Sequence, residues 1–286
     1  MTILVTGASG QYGRLVVDRL LARGAEPGAV VAAARDTARI VDLADRGVHT
    51  ATLDYDRPET IGPVLQGVDK LLLVSSSFEA VGRRVRQHTN VIDAALAAGV
   101  AMIAYTSTTH ADKSSGGLAD EHKLTEQAIA AAGLPSVILR NNWYTENQAP
   151  DVQRARASGE LFGSAGEGRV ASATRLDYAD AAATVLLSDG HLGAVYELGG
   201  DSAWSVDELA AAIGEVLGRP VGYQHLTPEQ HTAALESAGL DAATIGMIVG
   251  VDAAFAANTY AYTDGTLSRL IGRPTTPLVD ALSVFA

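Results

Sequence analysis

Three glycines spaced three residues apart, Gly7, Gly10 and Gly13, follow a short apolar run at the start of the chain. A strand, a glycine turn and a helix in this order present free backbone N–H groups at the positive end of a helix dipole, where phosphate groups bind. The first glycine permits the tight turn, the second lets the backbone approach a pyrophosphate, and the third lets the helix pack closely on the strand. The spacing predicts a dinucleotide site, and the alternative is a tight turn that binds nothing.

The residue at the end of the second predicted strand selects between two cofactors. An acidic side chain there would bond to a ribose 2′-hydroxyl, but "VVAAAR" places Arg35 at this point. A guanidinium can pair with a 2′-phosphate through two parallel hydrogen bonds, so Arg35 favours NADPH over NADH. The alternative is an ordinary surface arginine beside Asp36. Asp54 and Tyr55 are predicted to flank the adenine. Residues 75–77 are predicted to line the ribose and phosphates, or else to form a polar loop.

The elements that position these residues alternate along the first half of the chain. Continuously apolar strands between alanine-rich helices predict a Rossmann-like α/β fold, a doubly wound parallel sheet. The predicted strands are Ile3–Thr6, Val30–Ala34, His49–Leu53, Lys70–Ser75, Ala101–Ser107 and Ser136–Arg140. The predicted helices are Gln11–Arg23, Thr37–Asp45, Glu59–Gln66, Val81–Ala98 and Glu121–Ala132.

This alternation ends after residue 141. We predict an NADP(H)-binding Rossmann domain over residues 1–141 and a smaller, mostly helical substrate-binding portion over residues 142–286, from which a strand at 194–200 returns to the sheet. The C-terminal portion is expected to fold over the carboxyl edge of the sheet, where open α/β folds bind ligands. Capping boxes at Ser205–Glu208 and Thr227–Gln230 predict two helix starts, and Asp177 is predicted to cap another helix.

The composition argues against several classes of function. A formal net charge of -12 argues against nucleic-acid binding, and the lack of cysteine excludes disulfides, thiolate metal sites and thiol catalysis. No signal peptide or membrane-spanning run is recognised, so we expect a soluble cytoplasmic protein, either a monomer or a homodimer. The seven histidines lack metal-ligand spacing, and no G-x-S-x-G elbow occurs.

Longer stretches of the chain resemble one known family. The N-terminal "TGASGQYG" resembles the NmrA-like branch of the atypical short-chain dehydrogenases/reductases. More specific are "QHTNVIDAALAAGV", "YTSTTHAD", "LRNNWYTEN" and "ASATRLDYADAAA", which together resemble the type 2 NAD(P)H:quinone oxidoreductases and the related triphenylmethane dye reductases. The resemblance extends to "LIGRPTT" and so covers nearly the whole chain.

The resemblance implies an NADPH-dependent reductase that passes hydride to quinones or similar planar acceptors. Relatives generally carry glycine or alanine where this chain has Asn142, and the larger side chain is predicted to narrow the acceptor pocket. With the glycine turn and the strand ends, the implied cofactor contacts are Thr6, Gly7, Ala8, Ser9, Gly10, Gln11, Tyr12, Gly13, Arg35, Asp54, Tyr55, Ser75, Ser76 and Ser77. The implied acceptor pocket consists of Arg140, Asn141, Asn142, Trp143, Tyr144, Thr145 and Arg175.

The Tyr-x-x-x-Lys pair, with which ordinary short-chain dehydrogenases protonate a carbonyl oxygen, is missing. Aligning "LADEHKLTE" on Glu126 puts Leu118 at the tyrosine position and His122 at the lysine position. Lys123 is one residue away, which turns it by about 100° around the helix. A ketone reductase or an epimerase is therefore disfavoured. A quinone is a more forgiving acceptor, because hydride addition gives a stabilised phenolate that water can protonate.

His110 and Tyr144 are the candidates for catalytic contact with the acceptor. For His110, which follows the fifth strand, a hydrogen bond to the acceptor is weighed against a surface or packing role. Trp143 and Tyr144 are predicted to stack on a planar ring, and the alternative is that they cover the edge of a core. For His122 a functional role is weighed against a structural one, and His88 is predicted to pack a helix.

Two classes of function remain open. The first is an NADPH-dependent quinone or dye reductase. The second is a redox sensor that binds NADP(H) without turning it over, because the resembled branch contains such proteins and the loss of the tyrosine–lysine pair fits both. An isomerase that retains its cofactor lacks the acid–base pair that it needs.

Overall fold

The chain forms two compact units. The computed structural model describes residues 1–77, 82–113 and 117–286. Unit 1 comprises Met1–Asn141 and Arg175–Leu198, and unit 2 comprises Asn142–Thr174 and Gly199–Ala286. The chain therefore leaves unit 1, builds the first part of unit 2, and returns to unit 1 before it completes unit 2.

The strands and helices follow the expected alternation. The strands are β1 (Ile3–Val5), β2 (Val30–Ala34), β3 (His49–Thr52), β4 (Lys70–Leu73), β5 (Met102–Thr108), β6 (Ser136–Asn141), β7 (Glu160–Gly163), β8 (Arg169–Val170), β9 (Val195–Leu198), β10 (Trp204–Ser205) and β11 (Gly222–His225). The helices are α1 (Gln11–Ala22), α2 (Val41–Asp45), α3 (Ile61–Val64), α4 (Arg83–Ala98), α5 (Gly117–Ala132), α6 (Ala149–Ser158), α7 (Arg175–Leu187), α8 (Val206–Leu217), α9 (Pro228–Ser237), α10 (Ala242–Ala256), α11 (Thr266–Ile271) and α12 (Leu278–Ser283).

Unit 1 is built on a parallel sheet. Among the described residues the sheet has seven strands in the order β3-β2-β1-β4-β5-β6-β9, and each pairing is parallel. The strand order reverses between β1 and β4, and this reversal leaves a crevice outside their carboxyl ends. The predicted Rossmann-like, doubly wound α/β fold is confirmed.

Helices pack on the sheet because its strands are apolar on both faces. Leu71 and Tyr105 of the sheet are buried against Val91 of α4. The helices α1 and α7 pack against each other, and α7 contacts β4 and β5. The buried carboxylate of Asp180 in α7 accepts a hydrogen bond from Arg19 Nε of α1 at 2.6 Å, so this buried charge is paired.

The turn between β1 and α1 depends on two glycines. Gly7 has a φ of +62°, in the left-handed region that residues with a side chain rarely adopt. At Gly13 a Cβ would lie 2.4 Å from the carbonyl oxygen of Gly7 and 2.9 Å from that of Thr6. No side chain fits in this space. Glycine at residue 13 therefore lets the first turn of α1 lie directly on the turn that follows β1.

Unit 2 has a hydrophobic core of its own, in which Trp204, Leu209 and Phe255 are buried. Strand β7 pairs in parallel with β11, and β8 pairs in antiparallel with β10. Both predicted capping boxes are confirmed, Ser205–Glu208 at the start of α8 and Thr227–Gln230 at the start of α9.

The structure corrects several predicted boundaries. Helix α2 begins at Val41 rather than at Thr37, and α3 covers Ile61–Val64 rather than Glu59–Gln66. Helix α5 begins at Gly117 rather than at Glu121. Helix α7 begins at Arg175, so Asp177 lies inside its first turn and the prediction that it caps the helix is wrong. Strand β4 ends at Leu73 rather than Ser75, because the backbone N–H groups that follow donate to side chains instead of to neighbouring strands. The first residue of the helix predicted over 81–98 lies outside the described residues.

We expect Gly13→Ala to destabilise unit 1 by about 3 kcal/mol or more, because the added methyl group overlaps backbone carbonyls that cannot move aside as a side chain would. Gly246→Ala in α10 is the control for a helical glycine, since a Cβ there meets nothing within 4 Å and no proline follows. It is expected to raise stability by about 0.5–1 kcal/mol. Urea unfolding of both variants checks this prediction, and unchanged stability of Gly13→Ala contradicts the close approach.

Candidate functional site

A cleft of about 440 Å³ opens in unit 1 at the carboxyl ends of β1 to β4. It contains most of the predicted cofactor contacts and one residue that was predicted to contact the acceptor, Arg175. The lining residues are Gly7, Ser9, Gly10, Gln11, Tyr12, Gly13, Ala34, Arg35, Arg39, Leu53, Asp54, Tyr55, Val74, Ser75, Ser76, Ser77, Gln87 and Arg175.

The shape and polarity of this cleft fit a dinucleotide. Gly10, the residue before α1, supplies no side-chain cap, so the first turn of the helix retains amide groups for a ligand phosphate. Because residue 10 is glycine, no side chain projects from this wall of the cleft. A Cβ there would lie 3.2 Å from the carbonyl oxygen of Gly7, which is a tight contact. The buried hydroxyl of Ser76 has no hydrogen-bond partner among the described residues, and a ligand hydroxyl could satisfy it.

Two exposed arginines bring positive charge to the cleft. Arg35 directly follows β2, and Arg39 lies four residues later; both line the cleft. The carboxylate of Asp36 accepts a hydrogen bond from the backbone N–H of Ala38 at 3.0 Å and so caps the turn between the two arginines. This acid is therefore engaged in local structure, while both guanidinium groups line the cleft, where they can meet an anionic ligand.

Thr6 and Ala8 support the cleft from behind. Both are fully buried and do not line it. Thr6 Oγ1 accepts a hydrogen bond from Val74 N–H at 2.9 Å and lies 2.5 Å from the hydroxyl of Tyr55, while Ala8 N–H donates to the carbonyl of Ala33 at 2.9 Å. Direct contact of Thr6 and Ala8 with the cofactor stays a prediction.

Side chains accept hydrogen bonds from the backbone N–H groups that follow β4. These groups belong to the segment that forms one wall of the cleft, residues 74–77. Val74 N–H donates to Thr6 Oγ1 at 2.9 Å, Ser75 N–H donates to Thr106 Oγ1 at 2.8 Å, and Ser76 N–H donates to His88 Nε2 at 3.0 Å.

His122, at the position of the family lysine, is buried and faces away from solvent. It is 5% exposed. Arg84 Nη1 can only donate, so it donates to His122 Nε2 at 3.1 Å, and the neutral ring then donates from Nδ1 to the hydroxyl of Tyr105 at 2.7 Å. Burial and the nearby charge of Arg84 hold the pKa of His122 well below its ordinary value. This histidine is a neutral structural group and not a proton donor at neutral pH.

Arg140 is the centre of an ion-pair cluster in unit 1. Its Nε and Nη2 donate to the two oxygens of Glu126 at 2.9 and 2.6 Å. Its Nη1 donates to Asp112 at 2.7 Å and to Glu197 at 2.9 Å. Burial alone would lower the pKa of Arg140, but the hydrogen bonds that it donates to Glu126 and Glu197 raise it above its ordinary value. The guanidinium thus binds carboxylates of its own unit, and its place in the acceptor pocket stays a prediction.

His110 lies beside this cluster, after β5. Its backbone N–H donates to Glu197 Oε2 at 3.0 Å, and its Nδ1 lies 3.5 Å from Glu197 Oε1. Its φ of +51° is unusual for a residue with a side chain and fits a tight turn held by that carboxylate. Asn141, at the end of β6, is buried, and its carbonyl accepts a hydrogen bond from Thr109 N–H at 3.0 Å.

Asn142 and Trp143 have partners inside unit 2. The amide of Asn142 donates from Nδ2 to the carbonyl of Tyr260 at 3.0 Å, and its Oδ1 accepts from the N–H of Trp143 at 2.7 Å. The Trp143 ring packs on Phe255 and Tyr260 with centroid separations of 5.1 and 5.4 Å. The Trp143 ring thus covers the edge of a core, as in the alternative interpretation, and the Asn142 amide stabilises unit 2.

Thr145 is buried and Tyr144 is half-buried. Thr145 Oγ1 lies 2.8 Å from Ser172 Oγ, so its side chain also has a partner within unit 2. Tyr144 remains a predicted acceptor contact.

Comparisons with known proteins identify the family of this chain. The model of the NAD(P)H-binding family matches residues 7–189. The chain belongs to this family. Within it, the chain is 45% identical over 281 residues to quinone oxidoreductase 2 of Escherichia coli strain K12, a match that covers 98% of this chain and 97% of that protein. The chain is therefore an NAD(P)H-dependent oxidoreductase with sequence similarity to that protein.

Two solved structures of NAD(P)H-binding reductases extend the comparison. The structure of an NADPH-dependent quinone oxidoreductase from Escherichia coli in complex with NADPH matches with a TM-score of 0.93 at 44% identity, over 99% of each chain. Triphenylmethane reductase from Citrobacter sp. matches with a TM-score of 0.93 at 35% identity, over 100% of this chain and 99% of that one. Both comparisons extend beyond the family match to the C-terminal residues.

Two types of site are not found within residues 1–77, 82–113 and 117–286. No helix there has the length and apolar composition to cross a membrane. No group of three or more histidines and carboxylates in the same ranges is arranged to hold a metal ion.

Sequence reasoning missed Arg39, Gln87 and the polar role of His88. Arg39 could have been found, because it lies in the short turn that directly follows Arg35 and carries the same charge. Gln87 and His88 follow each other in "QHTN", and nothing in that pattern says that one lines the cleft while the other bonds to its wall. That distinction depends on the rotation of α4 against the sheet.

The buried histidines make the stability of unit 1 depend on pH. Burial, with the charge of Arg84, lowers the pKa of His88 to about 3 from an ordinary 6.5. Below about pH 6.5 the unfolded chain therefore binds a proton that the folded chain rejects, so stability falls as the pH falls. For His88 alone we expect a loss of about 2 kcal/mol between pH 7.5 and pH 5. Urea unfolding at the two pH values measures this loss. It should shrink by that amount in His88→Gln and persist in the exposed-site control His49→Gln.

Proposed function

We propose that this chain is an NADPH-dependent reductase that transfers hydride to quinones or similar planar acceptors without a tyrosine–lysine proton donor. The observation that carries the proposal is the cleft of unit 1, in which a glycine turn and two cleft-lining arginines, Arg35 and Arg39, meet at the strand ends. The similarity to quinone and triphenylmethane reductases over nearly the whole chain supports the acceptor class.

The residues of the cleft divide the work of binding. The first turn of α1 offers amide groups to the pyrophosphate, and Arg35 and Arg39 offer guanidinium groups to the 2′-phosphate. Ser75 to Ser77 and Gln87 offer polar groups to the remaining part of the dinucleotide. When bound, the cofactor supplies the hydride, and the protein supplies orientation and electrostatics.

The environment of α5 supports a reaction without a dedicated acid. Leu118, at the tyrosine position, is 42% exposed and carries no proton to give. His122, at the lysine position, has both ring nitrogens engaged inside unit 1. A quinone that has accepted hydride is a stabilised phenolate, so water can protonate it. The absence of the tyrosine–lysine pair therefore has little effect on the rate of quinone reduction. A ketone would give a basic alkoxide and would need that acid.

Tyr144 of unit 2 and His110 of unit 1 remain predicted acceptor contacts. Tyr144 follows the carboxyl end of β6 by three residues, and its ring can stack on a planar acceptor. The side chain of His110 is one quarter exposed beside Glu197, and a ring nitrogen there can bond to an acceptor oxygen.

We expect the double variant Arg35→Ala/Arg39→Ala to bind NADPH about ten- to a hundredfold more weakly, with NADH affinity unchanged, because only NADPH carries the 2′-phosphate that pairs with these charges. The preference should also weaken at high salt, since both arginines are exposed. Arg57→Ala is the control, because this exposed arginine pairs with Glu59 outside the cleft. Calorimetric titration with both nucleotides measures the preference, and equal affinity of the wild type for NADPH and NADH contradicts the assignment.

The experiment that tests the function is NADPH oxidation with quinones, triphenylmethane dyes and simple ketones, with identification of the products. We expect turnover with quinones or dyes and none with ketones. Tyr144→Ala should lower kcat/KM for the acceptor about three- to tenfold, the effect of losing one stacked ring, and leave NADPH affinity intact. If the purified wild type binds NADPH and reduces no acceptor, the protein is a redox sensor and not a reductase.

A further inference from the structure

The wall of the cofactor cleft formed by residues 74–77 is held by side chains and not by the sheet. Up to Leu73, β4 pairs with β5, but the next backbone N–H groups donate to Thr6, Thr106 and His88. Thr6 and Thr106 belong to or adjoin strands on either side of β4. The acceptor for Ser76 is different, because His88 comes from helix α4.

The ring of His88 can accept this hydrogen bond in only one tautomer. Because the backbone N–H of Ser76 can only donate, Nε2 carries no proton, and the proton of the neutral ring is on Nδ1. Nδ1 then donates to Thr125 Oγ1 at 3.0 Å, and Thr125 donates its own proton to the carbonyl of Glu121 at 2.9 Å. The donor and acceptor roles of Ser76, His88 and Thr125 are therefore all fixed.

Aromatic packing fixes the direction in which the ring points. His88 is fully buried, and Tyr55 and Tyr105 meet it edge-to-face with centroid separations of 6.1 and 5.4 Å. Tyr55 itself lines the cleft and bonds to the carbonyl of Val74 at 2.8 Å. The ring therefore cannot turn away from Ser76 without disturbing a second contact of the same wall.

We propose that His88 is a positioning residue for cofactor binding, which holds the cleft wall 74–77 in its binding conformation through the backbone N–H of Ser76. The proposal rests on the proposed function, because it assigns the role towards bound NADPH. His88 does not line the cleft and does not touch the cofactor. Its effect is transmitted through Ser76, whose backbone it holds and whose buried hydroxyl lacks a partner among the described residues.

Three variants separate this role from general stability. His88→Gln places an amide oxygen about where Nε2 lies, so it can still accept from Ser76. His88→Asn ends near the position of Nδ1, so it keeps a partner for Thr125 and loses the acceptor for Ser76. Val91→Ala, in the same helix and fully buried, leaves a cavity without changing the hydrogen bonds of His88.

Two measurements report on the proposal. One is the NADPH dissociation constant by calorimetry. The other, on the ligand-free protein, is the NMR coupling across the hydrogen bond between the amide nitrogen of Ser76 and Nε2 of His88. We expect the coupling in the wild type and in Val91→Ala. We expect His88→Asn to bind NADPH about three- to tenfold more weakly, and His88→Gln and Val91→Ala to stay within about twofold of the wild type.

The outcomes distinguish this inference from the proposed function. Equal NADPH affinity of His88→Asn and the wild type overturns the inference alone, as does a loss in Val91→Ala as large as that in His88→Asn, or a missing coupling in the wild type. Failure of the wild type to bind NADPH overturns the proposed function and this inference with it. If His88→Asn does not fold, Thr125→Val replaces it. This milder variant removes the partner of Nδ1 and is expected to weaken NADPH binding about two- to threefold.

Discussion

The contact between the first turn of α1 and the backbone of the preceding turn is the constraint on which the rest of unit 1 depends. The carbonyl oxygens of Thr6 and Gly7 occupy the space that any side chain on residue 13 would need. Because the helix lies this close, its N-terminus points into the crevice between β1 and β4, where the strand order reverses. The strand ends, the arginines after β2 and the serines after β4 then converge on one place. If the helix lay farther away, its N-terminus would not reach the place where these residues meet.

The distribution of charge suits an anionic ligand on an acidic protein. The chain carries a formal net charge of -12, yet Arg35, Arg39 and Arg175 all line the one cleft. Local potential, and not net charge, decides where a phosphate binds. Inside unit 1, His88 and His122 are kept neutral by burial and by the charge of Arg84. A neutral ring with a fixed tautomer keeps the same nitrogen as donor and the other as acceptor. For His88 this keeps the hydrogen bond to the cleft wall 74–77 in place.

The parts of this architecture that local pattern encodes could be predicted from the sequence. Alternating apolar strands and helices, the glycine turn and the two capping boxes depend on residues close together in the chain, and the structure has them. The destinations of side chains could not be predicted in this way. Arg140 lies near the carboxyl end of a strand, where ligand-binding residues are common, but Glu126, Glu197 and Asp112 come from distant stretches to surround it. The early end of β4 is a similar case, since it depends on side chains of β5 and α4 that no local pattern reveals.

The return of the chain to unit 1 has a consequence for synthesis on the ribosome. When residues 1–141 have emerged, β1 to β6 are present, but α7, which packs on α1, and β9, which pairs with β6, are not. Arg140 then has Glu126 and Asp112 within reach and lacks Glu197, and the cleft lacks Arg175. The nascent sheet therefore has β6 as an open edge, a hazard for pairing with other chains, until residue 198 has been made. Folding of unit 1 during synthesis is therefore completed only after the inserted residues 142–174 have been made, when β9 pairs with β6 and brings Glu197 to Arg140.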